Sequence, residues 1–579
     1  MKLSNLKYIA FALLLGGTLT SCEDFLDRPN EDSYNDANYY ANDDQVKVST
    51  NSLYSSPWYD FLSRGFYKIP EVMSGNLYMG QSPYLTFTVK GSDPDITSTS
   101  CSLWAVNAQA NTIYNRLQTA NASASAKNTA MGECLAWKAM AYFYLVRIWG
   151  DVPIVHNNSS EIAAGDYNNK YKVKAADVYE YIVMTLEKAI DLLPNTNSAG
   201  RIDKWGAKGL LAKVYLAKSG INCNGNGQRD ENDLAKAAEL AKDVIDNSGK
   251  KLMEHYADIF RGENNNCEES LIGWRWTADQ LNYTCGNCLT SELAPSGFCE
   301  YQSWGDWTAP SVDLEEAFGV TPLQNPNSRP ATDERRKATM MMAGDKYDYF
   351  YTDCGGFDFL KHVYKGYEKH QGNGELQSPT GAQCAKHLVG DKADHNLHIG
   401  CDFDVMAYGN YTQLLRLADV YLIYAQAKIG NAGSTTDASA IDAFYKVRNR
   451  AVSTYERPTS ISFEDVWKER RLELALEGDR WYDYVRRYYF DPDATIAELN
   501  AQKRNEYYGL NALYETWYNK GSYDGPWNLN SDVRYNDDPG KHQNVQMSSF
   551  TIPFPTEDAT MNPHLLEAPQ HVDISQFTY

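Results

Sequence analysis

The stretch FEDVWKERRLELALEGDRWYDYVRR, residues 463–487, constrains the fold of this chain more than any other. At helical spacing Phe463, Trp467, Leu474, Trp481 and Val485 fall on one apolar stripe, and Lys468 to Arg471 are good helix formers. A helix with two tryptophans on its stripe must bury that stripe. Glu469, Glu473 and Glu477 lie four apart and form a column of like charge that repels along a helix. Arg470, Arg471 and Arg480 lie within a turn of that column and are its expected counter-charges. Arg486 and Arg487 place positive charge at the helix end, where the dipole favours it. The charges read as an ion-paired seam that fixes packing register, in preference to a catalytic carboxylate cluster.

Further helical periodicity covers residues 104–115, 134–148, 175–193, 207–219, 233–247, 413–429 and 438–450, and Gly150-Asp151-Val152-Pro153 is a stop signal. The hairpins are rich in Ala and Tyr, and the chain is expected to be mainly α, with tetratricopeptide-like hairpins that bury their faces against neighbours. Their period is irregular, and no clean repeat of about 34 residues emerges. Four stretches break the pattern. Residues 31–95 are rich in Asn, Asp, Ser, Tyr and Pro. Residues 270–310 replace Ala with Gly, Pro, Asn, Cys and aromatics, and loops of this length are usually functional. Residues 345–404 carry tyrosines at period two, which predicts a few short strands confined to that region. Residues 491–538 are again loop-like and aromatic.

Tyrosine is the commonest aromatic, 42 residues against 19 Phe and 13 Trp, so the excess lies on rings with an apolar face and a polar tip. Such rings suit sugars, whose C–H faces stack on aromatics while their hydroxyls need hydrogen bonds. Aromatics on predicted helices, such as Trp137, Trp149 and Trp467, read as core. Those in irregular stretches are the candidate ligand contacts: Trp58, Tyr59, Tyr78 and Tyr84 in the first, Tyr283, Tyr301, Trp304 and Trp307 in the second.

The formal charge of −21 opposes nucleic acid, anionic lipid surfaces and anionic polysaccharides, and favours a neutral ligand. Lys2 and Lys7, the apolar run 9–15 and Leu19-Thr20-Ser21-Cys22 form a lipoprotein export signal over residues 1–21, with Cys22 the lipidation site. The apolar run is too short to span a bilayer, and no later segment is long and apolar enough, so attachment is expected by lipid chains alone.

Eleven cysteines, less Cys22, leave ten in an exported chain, where disulfides are permitted. Cys285-Gly-Asn-Cys288 is the one C-x-x-C. It can be a local disulfide, a redox pair, half of a zinc site or a pair of unpaired thiols; the functional reading preferred is a disulfide that stiffens the aromatic loop, with Cys299 as an alternative partner. His395, His398, Cys401, Asp402 and Asp404 form the densest set of potential metal ligands, but at no established spacing, and the oxygen-rich run 224–233 lacks the ligand spacing of a calcium loop. Neither metal nor cofactor is expected. No G-x-S-x-G, H-E-x-x-H or phosphate-binding glycine loop occurs.

Four runs, in order, resemble the SusD/RagB family, the surface glycan-binding lipoproteins of Bacteroidetes: ECLAWKAMAYFYLVRIWGDVPIV (133–155), LLRLADVYLIYAQAKIGN (414–431), ERRLELALEGDRWYDYVRR (469–487) and TIPFPTEDATMNPHLLEAP (551–569). The resemblance implies a single SusD-like body over residues 22–579, with an N-terminal part over 22–220 and a C-terminal part over 260–579. It implies a non-catalytic binder of oligo- or polysaccharide, anchored on the outer face of the outer membrane. Its expected partner is a SusC-like TonB-dependent transporter, over which it sits as a lid. Overall similarity points toward a fructan such as levan, though no motif carries this and starch-like glucans stay open. Two alternatives remain: a peptide- or protein-binding importer component, and a glycoside hydrolase.

Overall fold

The computed structural model describes residues 39–166, 168–223, 225–278, 282–300, 303–402, 405–523, 533–539 and 543–579. Cys22 with its lipobox, Tyr301 and Asp404 lie outside the described residues.

Helices dominate, and their starts are set by capping side chains. Asp93, Ser123, Asp203, Asp230 and Asp437 each accept a hydrogen bond from a free amide of the first turn, opening Pro94–Gln118, Ala124–Trp149, Lys204–Lys218, Glu231–Asn247 and Ala438–Ala451. Pro94 stands at the first helical position, where its missing N–H costs nothing. The helices pack in sequence: Pro94–Gln118 on Ala124–Trp149, then Ala175–Leu192, Lys204–Lys218, Glu231–Asn247, Leu417–Ile429 and Ala438–Ala451, each against the next. This is the hairpin array expected of tetratricopeptide-like packing. At its centre, every residue from Glu133 to Trp149 is buried, so this part of the helix is enclosed on all sides. It ends at Gly150, whose φ of 73° supplies the expected stop.

Residues 463–487 correct the sequence reading. They form two helices, Phe463–Glu473 and Arg480–Tyr488, separated by a turn in which Leu476 (φ 64°) and Gly478 (φ 78°) are left-handed. A buried carboxylate makes the break. Glu71 accepts hydrogen bonds from the amides of Leu476 (3.1 Å), Gly478 (2.8 Å) and Asp479 (3.3 Å). A side chain at 478 would strike the ring of Phe66, which explains the glycine.

The glutamate column is paired, but by arginines from other segments. Arg335 reaches Glu469 (2.6 Å) and Glu473 (3.1 Å), Arg416 reaches Glu473 (3.1 Å) and Glu477 (2.7 Å), and Arg450 also binds Glu473. The expected counter-charges look elsewhere: Arg470 holds Asp419 and Asp483, Arg471 holds Asp313, and Arg480 holds Glu498. The seam is therefore a buried knot tying four distant stretches of chain together.

Residues 413–416, expected as the start of a helix, belong to a strand, Thr412–Arg416, paired with Ser270–Trp274. Short strands are not confined to 345–404. Among the described residues they form seven antiparallel two-stranded pairs spread from Leu77 to Tyr535. Beside the main core lies a second one, built on Phe298, Tyr347, Tyr351, Phe357, Tyr514 and Trp517.

Candidate functional site

The pair that positions the site is Leu77–Met79 with Thr308–Pro310, in which Tyr78 faces Ala309 and Met79 faces Thr308. It brings the N-terminal irregular stretch beside Trp304 and Trp307. The loop before it crosses directly over Leu293: Gly305 N–H donates to the Ala294 carbonyl (2.8 Å), and a Cβ at 305 would lie 2.3 Å from the Leu293 carbonyl carbon. Only glycine permits that approach. The result is a cleft of about 990 Å³, walled by Tyr67, Lys68, residues 78–84, Asp95, Glu292, Trp304, Trp307, Thr308, and residues 376–379 and 506–511.

Three rings that line it are exposed: Trp304 by 45%, Trp307 by 59% and Tyr508 by 43%. Three more, Tyr67, Tyr78 and Tyr84, are buried and line its wall. Their hydroxyls are tied to carboxylates: Tyr67 to Glu292 (3.1 Å), Tyr78 to Glu506 (3.2 Å) and Tyr84 to Asp93 (3.0 Å). Burial, reinforced by those carboxylates, pushes all three phenols well above their ordinary range, so they stay neutral donors. Burial, with Glu315 and Glu316 behind it, pushes the Tyr507 phenol up to about 12. The Trp304 indole N–H also donates to Glu292 (3.2 Å), which fixes the ring's edge. Lys68 forms a largely buried ion pair with Asp95 (2.5 Å).

Four expected contacts, Tyr78, Tyr84, Trp304 and Trp307, thus meet in one cleft although up to 229 residues separate them. Tyr59 and Tyr283 do not line it. They meet each other edge to face at 5.4 Å, with Tyr283 54% exposed. Trp58 is a correction: it is fully buried, its indole N–H bonded to the Leu53 carbonyl (2.8 Å) and its ring packed on Trp137 and Trp274. It lies in a helical turn, Ser56–Trp58, and not in an open loop. Cys285 and Cys288 are free thiols, so the expected local disulfide is absent; burial pushes the Cys288 thiol far up. Cys299 is also free and buried.

Among the described residues, Asp353, Cys354 and Asp391 bring potential metal-ligating atoms together. Both carboxylates already have partners, Lys369 for Asp353 and His370 for Asp391. His395, from the set of potential ligands noted in the sequence, packs on Tyr408 in the interior.

Tyr67, Glu292, Glu506 and Tyr508 belong to the cleft and escaped sequence reasoning. For Tyr508 a signal existed: Tyr507-Tyr508-Gly509 sits in the aromatic stretch 491–538, and Gly509 is left-handed (φ 77°), which ends the strand there and presents the ring.

The SusD family model matches residues 279–571, and a model described as starch-binding associating with outer membrane matches residues 91–216. A SusD-like protein of Bacteroides ovatus is 32% identical, with 98% of each chain covered. SusD-like protein P2 of Formosa agariphila is 24% identical over 66% of this chain and 70% of its own. A structure solved with a xylogluco-oligosaccharide superposes with a TM-score of 0.76 at 28% identity, covering 91% of this chain and 99% of that one. A SusD-like carbohydrate-binding protein of Bacteroides fragilis shares the fold (TM-score 0.67, 18% identity, 91% and 99% covered). With a family model over half its length and a relative matched from end to end, this chain belongs to the SusD family.

Proposed function

We propose that this protein is a cell-surface lipoprotein that captures a neutral oligo- or polysaccharide in the aromatic cleft and, as a lid, delivers it to a SusC-like TonB-dependent transporter. The observation that carries this reading is the exposure of Trp304, Trp307 and Tyr508 in one cleft edged by hydrogen-bonding groups. Stacking faces and hydroxyl partners together are what a sugar ring requires. The relative solved with a xylogluco-oligosaccharide supports the same class and makes a neutral branched glucan the first ligand to try, ahead of the fructan suggested by overall similarity. Anchoring through a lipid on Cys22 fits the outer-membrane association in the family description and the finding that no described helix is long and apolar enough to cross a membrane. A hinge near the anchored end suffices for the lid, because a glycan touched by both partners favours the closed state through its differential contacts. We take residues 22–579 as one body.

Binding without turnover is favoured because the carboxylates of the cleft hold its walls: Glu292 anchors Tyr67 and Trp304, Glu506 anchors Tyr78 and Asn536, and Asp95 anchors Lys68. Calorimetry with neutral glycans and with a peptide digest separates the glycan from the peptide reading. Release of reducing ends, abolished by Glu292→Gln or Glu506→Gln, would replace binding with hydrolysis.

A further inference from the structure

We infer that Glu292 is the specificity-determining acceptor of the cleft, which admits saccharides presenting hydroxyl or ammonium donors and rejects carboxylated ones; this rests on reading the cleft as a glycan site. Three carboxylates line the cleft, Asp95, Glu292 and Glu506, against one ammonium, Lys68. Lys68 is 7% exposed and committed to Asp95 at 2.5 Å, so it offers no free charge to an anion. The guanidinium of Arg534 lies over the Tyr508 ring at 5.3 Å but does not line the cleft. The described lining therefore carries an excess of negative charge and of acceptors.

Glu292 is placed to use that excess. Its Oε2 takes both internal donors, the Tyr67 hydroxyl and the Trp304 indole N–H. Its Oε1 accepts nothing from the described residues and is not among the buried unpartnered atoms. One carboxylate thus fixes the edge of a stacking ring and leaves an oxygen for a hydroxyl of the sugar lying on that ring. A hydrogen bond to an ionised acceptor is about twice as strong as one between neutral groups. A uronate in the same place brings like charge against Glu292 and Glu506, and opposed charges of one sign cost binding.

The test is a panel of immobilised glucan and xyloglucan oligosaccharides, each neutral, oxidised to carboxylate at C6, or aminated at C6, probed with the parent protein and with Glu292→Gln. The parent should bind neutral and aminated forms at least about tenfold tighter than the carboxylated form at low salt, and the ratio should fall in about 0.5 M NaCl as screening sets in. Glu292→Gln should lose about three- to tenfold for the neutral form, the difference between a charged and a neutral acceptor, and most of its discrimination against the carboxylate. Trp304→Phe removes the N–H but not the charge. It should weaken all three forms alike and leave the ratio intact. Equal binding of neutral and carboxylated forms by the parent, or an unchanged ratio in Glu292→Gln, overturns the inference alone. Binding of none of the panel overturns it together with the reading of the cleft.

Discussion

Glu473→Gln should destabilise the fold markedly while sparing the cleft. The Glu473 carboxylate is fully buried and faces three guanidiniums, those of Arg335 (3.1 Å), Arg416 (3.1 Å) and Arg450. Burial alone would push its carboxyl up, but Arg450, Arg416 and Arg335 together hold it well below the usual range. The amide keeps the shape and loses the charge, leaving buried cations under-compensated, at a cost of about 3–5 kcal/mol. With an unfolding entropy of about 2.1 cal/mol/K per residue, 579 residues melting together give about 1.2 kcal/mol/K, and the melting temperature falls by about 2.5–4 °C. Glu464→Gln, on the same helix but exposed and, among the described residues, ion-paired with Arg487 alone, should change stability by less than about 0.5 kcal/mol. The sign with pH follows from the depressed carboxyl. Its stabilisation is present above the unfolded value of 4.5 and is lost as pH falls through the folded one, so the gap between parent and variant should narrow below pH 4.5. Differential scanning calorimetry of both variants at pH 7 and pH 3.5 checks this. A Glu473→Gln melting temperature equal to the parent's, or a shift no larger than that of Glu464→Gln, would refute the buried-knot account.

Trp58→Ala should cost about 3–5 kcal/mol of stability as a core truncation, with glycan affinity per folded molecule unchanged; a selective loss of affinity would return Trp58 to the site. Burial brings the Lys138 ammonium down to about 7, against a weaker opposing pull from Glu161. The folded state then binds fewer protons than the unfolded one between pH 7 and 10.5, so parent stability should rise with pH over that window relative to Lys138→Met; a falling difference contradicts this. Under native conditions a thiol reagent should label Cys101, which is exposed, and spare Cys288, which is buried; a pair of cysteines 285 and 288 that labels only after reduction would restore the disulfide reading.

Much of this was legible in the sequence because local chemistry encodes it. Caps such as Asp230 and stops such as Gly150 mark helix ends within a few residues, and the apolar stripe around Trp467 announces burial. The break at 474–479 was not legible, because its cause, Glu71, lies about 400 residues away and Gly478 alone does not end a helix. The counter-charges of Glu473 were misassigned for the same reason: proximity along the helix favours Arg470, while the fold supplies Arg416 and Arg450. In the cleft, Trp304 and Trp307 could be chosen because they sit in an irregular stretch rich in Gly, Pro and Asn, although Trp307 ends a short helical turn, Gly305–Trp307. Trp58 failed that logic because Trp137 and Trp274, distant in the chain, pack on its ring and bury it within a stretch of loop-like composition. Glu292 gave no signal, as one carboxylate among 75 acidic residues has no local distinction.

The most direct test of the central claim is calorimetric titration of a xylogluco-oligosaccharide, or of the neutral glycan that binds best in the panel, into the parent and into Trp304→Ala and Trp307→Ala. Both rings are largely exposed, so their removal should leave the melting temperature close to the parent's. Base–aromatic stacking is worth about 1–3 kcal/mol per ring, and a comparable sugar stack predicts affinity reduced about 5- to 150-fold in each variant. Undiminished affinity in both, at an unchanged melting temperature, would contradict the account and move the site to the surface around Tyr59 and Tyr283.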